Sequence, residues 1–170
     1  MRFSWLQCLI LLGVVSVSAC GGDSSVPVSQ QAERPALTAA TLGEQNVLHN
    51  AEYLASEPYL AADVEKGARQ AQICKACHSL NEGGANMIGP ALHGFFGTIA
   101  GKHDGFAYSP ALANASFVWT PRALDAWLAQ PGRFLPGNRM SFAGIFDPQD
   151  RNNLIAYLLE TTATDAVDQL

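Results

Sequence analysis

Lysine is scarce in this chain. Lys66, Lys75 and Lys102 are the whole complement, and 10 basic residues face 15 acidic ones, for a formal net charge of -5. The pI is near 5.2. A nucleic-acid-binding surface needs a basic face to neutralise phosphates, so that class is excluded. Long apolar runs are missing too. The N-terminal "WLQCLILLGVVSVSA" is too short, and wrongly flanked, for a membrane-spanning helix. No segment shows clear strand alternation, and no internal repeat appears. Cysteine is sparse: Cys8, Cys20, Cys74 and Cys77 are too few and too unevenly placed for a disulfide scaffold. What the chain does have is apolar residues, 48% of 170 with a mean hydropathy of +0.07, enough for the core of one domain plus extensions.

The first 19 residues read as a signal peptide. Arg2 supplies the positive end, and the apolar stretch closes on "VSAC", which resembles the lipobox of bacterial lipoproteins. Cys20 is then the expected lipidated residue, and Cys8 leaves with residues 1–19. Several acyl chains on one cysteine hold a protein stably on a membrane where one short chain does not. The expected location is therefore the periplasm, anchored to the inner or outer membrane. Residues 20–44 are rich in Ser, Gly, Pro, Gln and Ala with no apolar period. They are expected to be the anchor site and a flexible linker, with a reach of about 25–30 Å and a stretched limit of ~80 Å. Within 45–60, Val47, Leu48, Ala51, Leu54 and Ala55 recur at helical spacing and predict a short helical extension.

Residues 61–170 form the main domain. "ADVEKGARQAQICKACH" predicts one helix with Asp63 as its N-cap. A capping residue precedes proline at Ser109-Pro110, Thr120-Pro121 and Asp147-Pro148, and each pair predicts a helix start, the second helix stopping at Pro131. In the last helix Leu154 and Leu158, and Ile155 and Leu159, stack four residues apart. Residues 79–107 are glycine-rich and aperiodic, and so long a loop needs something to pack on. The fold class expected is all-α, with helices and long loops wrapped around one bound cofactor.

"CKACH", residues 74–78, is open to three chemistries. A redox disulfide wants a βαβ setting, and no strands flank it. Zinc wants four ligands, and His49, His93 and His103 repeat no ligand spacing. Cysteines three apart followed by histidine are the attachment pattern of c-type haem. Both sulfurs then lie on one helical face, and the histidine points at the iron. The motif occurs once, so one covalently bound haem c is expected, with His78 as the first axial ligand. For the second, the candidates apart from lysine are Met87, Met140, His49, His93 and His103. Met140, in "FLPGNRMSFAGIF", sits in a Pro/Gly loop among apolar residues that could bury a thioether, whereas Met87 follows His78 too closely to cross easily to the opposite face.

From Asp63 to Thr161 the chain resembles class I cytochromes c, the mitochondrial type and its bacterial relatives. The matching stretches are "DVEKG", "CKACHSL", "GPALHGFFG", "GFAYSPAL", "FLPGNRMSFAGI" and "NLIAYL", in the family's order. The resemblance implies that Cys74 and Cys77 form the thioethers, that His78 and Met140 ligate the iron, and that the Pro90 carbonyl accepts the His78 Nδ1–H. It also implies Tyr108, Ser109 and Trp119 as donors to a haem propionate, Trp127 beside the Met sulfur, Phe142 near the haem edge, and Gly67 against Tyr157 where the first and last helices cross. Two positions and one surface feature depart from the pattern. Thr98 replaces an arginine near a propionate, which Lys102 or His103 would have to compensate. Ala71 replaces an aromatic. The basic docking ring is largely missing.

The function implied is electron transfer, not enzymatic turnover, by a membrane-anchored monohaem carrier between respiratory redox proteins. A peroxidase-like haem enzyme with a labile sixth ligand, or a fixed cytochrome subunit of a larger respiratory complex, is the alternative. No nucleic acid or small-molecule substrate is expected, and the chain is expected to be monomeric.

Overall fold

The computed structural model describes residues 37–162 and residue 164, within a unit spanning Arg34–Leu170. The expected signal peptide at 1–19 and the expected lipidation site Cys20 lie outside the described residues. Helices carry the described fold: α1 (Asn50–Leu54), α2 (Val64–Gln70), α3 (Gln72–Lys75), α4 (Pro110–Ala113), α5 (Pro121–Ala129), α6 (Pro131–Phe134) and α7 (Pro148–Thr162). One antiparallel bridge among the described residues, Ile99 with Val118, stands beside them.

Local chemistry sets the helix starts. The Asp63 carboxylate accepts from Lys66 N–H at 2.8 Å, with Glu65 in the first turn and Arg69 in the last, matching the helix dipole. Ser109 caps α4, Thr120 caps α5, and the Asp147 carboxylate accepts from Gln149 N–H at 2.8 Å ahead of α7. Each helix then opens on proline, whose missing N–H costs nothing there. Pro131, expected only to stop α5, also opens α6. The helix expected through 63–78 is interrupted at Ala71, where ψ relaxes to -11°. Bonds from Ala71 N–H to Gly67 O and from Lys75 N–H to Ala71 O, 2.9 and 3.0 Å, carry the ladder across the break.

The core forms where α2 packs on α7 and α7 on α5. Leu154, Ile155, Leu158 and Leu159 of α7 are buried there with Leu124, Trp127, Leu128 and Phe134. Gly67 makes the α2–α7 crossing possible, since a Cβ at that position would stand 2.1 Å from the Asn153 carbonyl oxygen. The Asn153 side chain accepts from Asp63 N–H at 2.9 Å, fixing the entry to α2. Arg151 bonds Asp125 at 2.6 Å and the carbonyls of Ile145 and Phe146, joining α7, α5 and the loop before α7.

The segment read as a linker ends earlier than expected. Residues 37–44 are packed on the domain, and Leu42 is only 2% exposed within the core. Apolar burial, invisible in a stretch without period, outweighs its linker-like composition. The helix expected over 45–60 is confined to α1, which packs on α7 while Tyr53, Leu54 and Tyr59 cover the core.

Candidate cofactor site

One cavity of about 720 Å³ gathers the residues singled out above. Cys74, Cys77, His78, Pro90, Tyr108, Ser109, Trp119, Trp127 and Met140 all line it, with Phe142, Thr98 and His103. Met87, His49 and His93 are not among the lining residues. Its size falls in the ~300–1,000 Å³ range of cofactor pockets, and Leu92, Phe95, Leu112, Leu124 and Leu158 make much of the wall apolar.

The "CKACH" stretch is folded as one helical turn. The N–H groups of Cys77 and His78 both reach Cys74 O, at 3.0 and 2.9 Å. Cys74 and Cys77 are not joined in a disulfide, and burial raises the pKa of Cys74. No group of three or more His, Cys, Asp and Glu suited to a metal occurs among the described residues.

His78 Nδ1 lies 2.7 Å from the Pro90 carbonyl oxygen. A carbonyl can only accept, so Nδ1 carries the proton and the Nε2 lone pair is free. Burial lowers the imidazole pKa, with the Pro90 bond acting in the opposite direction. The loop carrying Pro90 is strapped alongside by Gly89 N–H to Cys77 O at 2.8 Å and Leu92 N–H to Ser79 O at 2.9 Å. Gly89 is required for this approach, because a Cβ there would be 2.3 Å from His78 Cε1.

Met140 arrives on the loop after α6. Asn138 organises that loop: its amide nitrogen donates to Pro131 O and Leu135 O at 2.9 and 2.8 Å, and its oxygen accepts from Met140 N–H at 2.9 Å. The loop then runs against α5, with Ile145 N–H on Leu128 O at 2.8 Å. Gly144 permits this contact, having φ +105° and an ideal Cβ position 2.2 Å from Ala129 O. From α5 the indole Nε1–H of Trp127 donates to the Met140 sulfur at 3.2 Å.

The far wall carries the polar groups. Ser109 is buried and accepts from Leu112 N–H through its hydroxyl oxygen, which leaves its O–H proton free to donate. Burial raises the pKa of Tyr108, keeping its phenol protonated. Thr98 donates its hydroxyl to Phe95 O at 2.7 Å, and Lys102 donates to Ala113 O at 2.7 Å. Of the two compensating residues considered for Thr98, His103 lines the cavity and Lys102 is engaged at the end of α4. Arg139 also lines the cavity, and its guanidinium donates to Ala107 O. No sequence pattern marks Arg139 as a lining residue, although it stands next to Met140 in "GNRM".

The cytochrome c family model matches residues 64–162. Cytochrome c2 of Agrobacterium tumefaciens is 43% identical over 100 residues, covering 57% of this chain and 90% of the relative. Cytochrome c of Chlamydomonas reinhardtii is 40% identical over 104 residues, covering 61% and 93%. Cytochrome c2 of Blastochloris viridis is 38% identical over 106 residues, covering 62% and 84%. The chain belongs to the cytochrome c family, whose members transfer electrons on one covalently attached haem c. The described residues fit that group: a neutral imidazole with a free Nε2, a thioether held in place, two cysteine sulfurs outside any disulfide and an apolar wall share one cavity.

Proposed function

We propose that this chain is a lipid-anchored, exported, single-haem electron carrier with His78 and Met140 as axial ligands, attached to haem through Cys74 and Cys77. The observation that supports it most is the meeting of His78 Nε2, left free by the bond to Pro90, and the Met140 sulfur, oriented by Trp127, in one apolar cavity. Bound haem supplies a one-electron ferric–ferrous couple. Pro90 fixes the imidazole and raises its basicity as a ligand. Ser109, Tyr108 and Trp119 are the donors to a propionate. The apolar walls exclude water and disfavour the extra charge of the ferric state, so the potential is positive. If His78 and Met140 both hold the iron, no place on it would be open to a substrate, which favours a carrier over a haem enzyme.

In this reading Cys20 carries the lipid, and the polar stretch between it and residue 37 is the tether. No helix among the described residues is long and apolar enough to cross a membrane. The partners are a redox donor and acceptor protein, such as a respiratory complex or terminal oxidase, met by a monomer. Few lysines make that docking weakly salt-dependent, and the tether raises the effective concentration instead. Peptide mapping by mass spectrometry of the membrane-extracted protein tests these assignments. Haem mass on the peptide holding Cys74 and Cys77, and acyl mass on Cys20, are expected. An unmodified Cys20 overturns the anchor, and a peptide free of haem overturns the attachment.

A further inference from the structure

Val118 pairs with Ile99, yet the bonds of that bridge run through its neighbours. Ala100 N–H donates to Phe117 O at 2.9 Å, Trp119 N–H to Thr98 O at 2.9 Å and Gly97 N–H to Trp119 O at 3.0 Å. The backbone groups of Val118 therefore face the other edge, where a partly buried segment needs partners. Thr120 N–H donates to Val118 O at 2.8 Å, and Gln45 supplies the rest. Its Oε1 accepts from Val118 N–H at 2.8 Å, and its Nε2 donates to Val118 O at 2.7 Å and to Thr120 Oγ1 at 3.2 Å. A side-chain amide offers the same donor and acceptor as a peptide unit, so Gln45 stands in for an adjacent strand. Leu42, three residues earlier, is buried in the core and pins the segment that carries it.

The clamped residues lead to the cavity by two routes. Trp119, next to Val118, meets Trp127 edge-on with ring centroids 5.4 Å apart. Thr120 caps α5 through Ala123 N–H at 3.2 Å, and α5 carries Trp127. Both routes end at the indole N–H that holds the Met140 sulfur.

We propose that Gln45 is a positioning residue for Met140: by clamping Val118 and Thr120, the N-terminal extension sets how firmly the thioether is held on the iron. This rests on the reading of Met140 as an axial ligand. The test uses the full-length, haem-loaded chain in detergent, with added imidazole as the competitor for the iron. The near-infrared band of a ferric thioether complex is the readout, together with the thermal midpoint. In Gln45→Leu, imidazole should displace the thioether at about tenfold lower concentration, as expected for losing one or two net hydrogen bonds. Leu159→Ala, a core truncation away from the cavity lining, should lower the thermal midpoint and leave the imidazole titration unchanged. An unchanged titration in folded Gln45→Leu overturns the proposal, as does an equal shift in Leu159→Ala. Should Gln45→Leu fail to fold, Gln45→Glu keeps the acceptor for Val118 N–H and loses both donations. A shift in the same direction then supports the proposal, and none overturns it. Absence of the band in the unsubstituted protein instead overturns the Met140 ligation beneath it.

Discussion

Trp127 and Met140 are joined by an N–H···S hydrogen bond of 3.2 Å across 13 residues of chain. An indole N–H can only donate, so it engages one sulfur lone pair and leaves the other for the cavity. Methionine has three rotatable bonds and adapts to many surroundings. Here its direction is set by the protein, through α5 on one side and the Asn138-braced loop on the other.

Trp127→Phe keeps an aromatic ring and removes the donor. With Met140 as the proposed ligand, the sulfur would then give more electron density to ferric iron, so the reduction potential should fall. A differential of up to about 1 kcal/mol corresponds to a drop of about 20–40 mV for one electron. Spectroelectrochemical titration of the variant beside the parent measures it, and a potential that rises contradicts the role given to the bond.

Asn138→Ala removes three hydrogen bonds from the Met140 loop. The expected loss is about 1–3 kcal/mol, part of it from carbonyls left without partners. Denaturant unfolding gives the number. The thioether band should disappear at lower denaturant than the helical signal, because the loop is affected before the helix crossing.

Gly67→Ala places a methyl 2.1 Å from the Asn153 carbonyl oxygen and 2.9 Å from Tyr157 Cβ. Backbone atoms cannot swing aside, so α2 and α7 must separate. A destabilisation of about 1–3 kcal/mol or more is expected from overpacking. Thermal unfolding of the haem-loaded protein checks it, and an unchanged midpoint would mean that the crossing is looser than described.

Tyr59 gives the fold an alkaline limit. Burial, then the charges of Asp125 and Tyr53, push its pKa well above 10.0. Its protonated form is therefore favoured in the folded state. That stability is fully present below the unfolded pKa and is lost as pH rises above it towards the folded value. Tyr53 shifts in the same direction, chiefly by burial. Tyr59→Phe should reduce, without abolishing, the fall in stability between about pH 9 and pH 11. Denaturant midpoints across that range measure it, and identical slopes in both proteins contradict it.

Most of the residues that line the cavity could be read from the sequence because their local chemistry marks them. "CKACH" fits on one helical turn, and Ser109, Thr120 and Asp147 each stand directly before a proline. The Met140 loop announced itself by its Pro/Gly content between two helices. Gln45 left no such mark, since its partner Val118 is 73 residues away and an amide in a polar stretch looks like a solvated one. Leu42 was hidden in the same way: one apolar residue has no period, and only the tertiary fold shows where it lands. The interruption at Ala71 was invisible because its backbone stays in the right-handed helical region and only ψ departs.

The measurement closest to the central claim is an optical redox titration of the haem-loaded protein at neutral pH, with and without carbon monoxide. The account predicts a single one-electron transition at positive potential, a thioether band in the oxidised state, and no change when carbon monoxide is added to the reduced state. In Met140→Ala, carbon monoxide should bind readily. Ready binding to the reduced parent protein would mean an open iron, and would contradict the closed His78–Met140 carrier proposed for this chain.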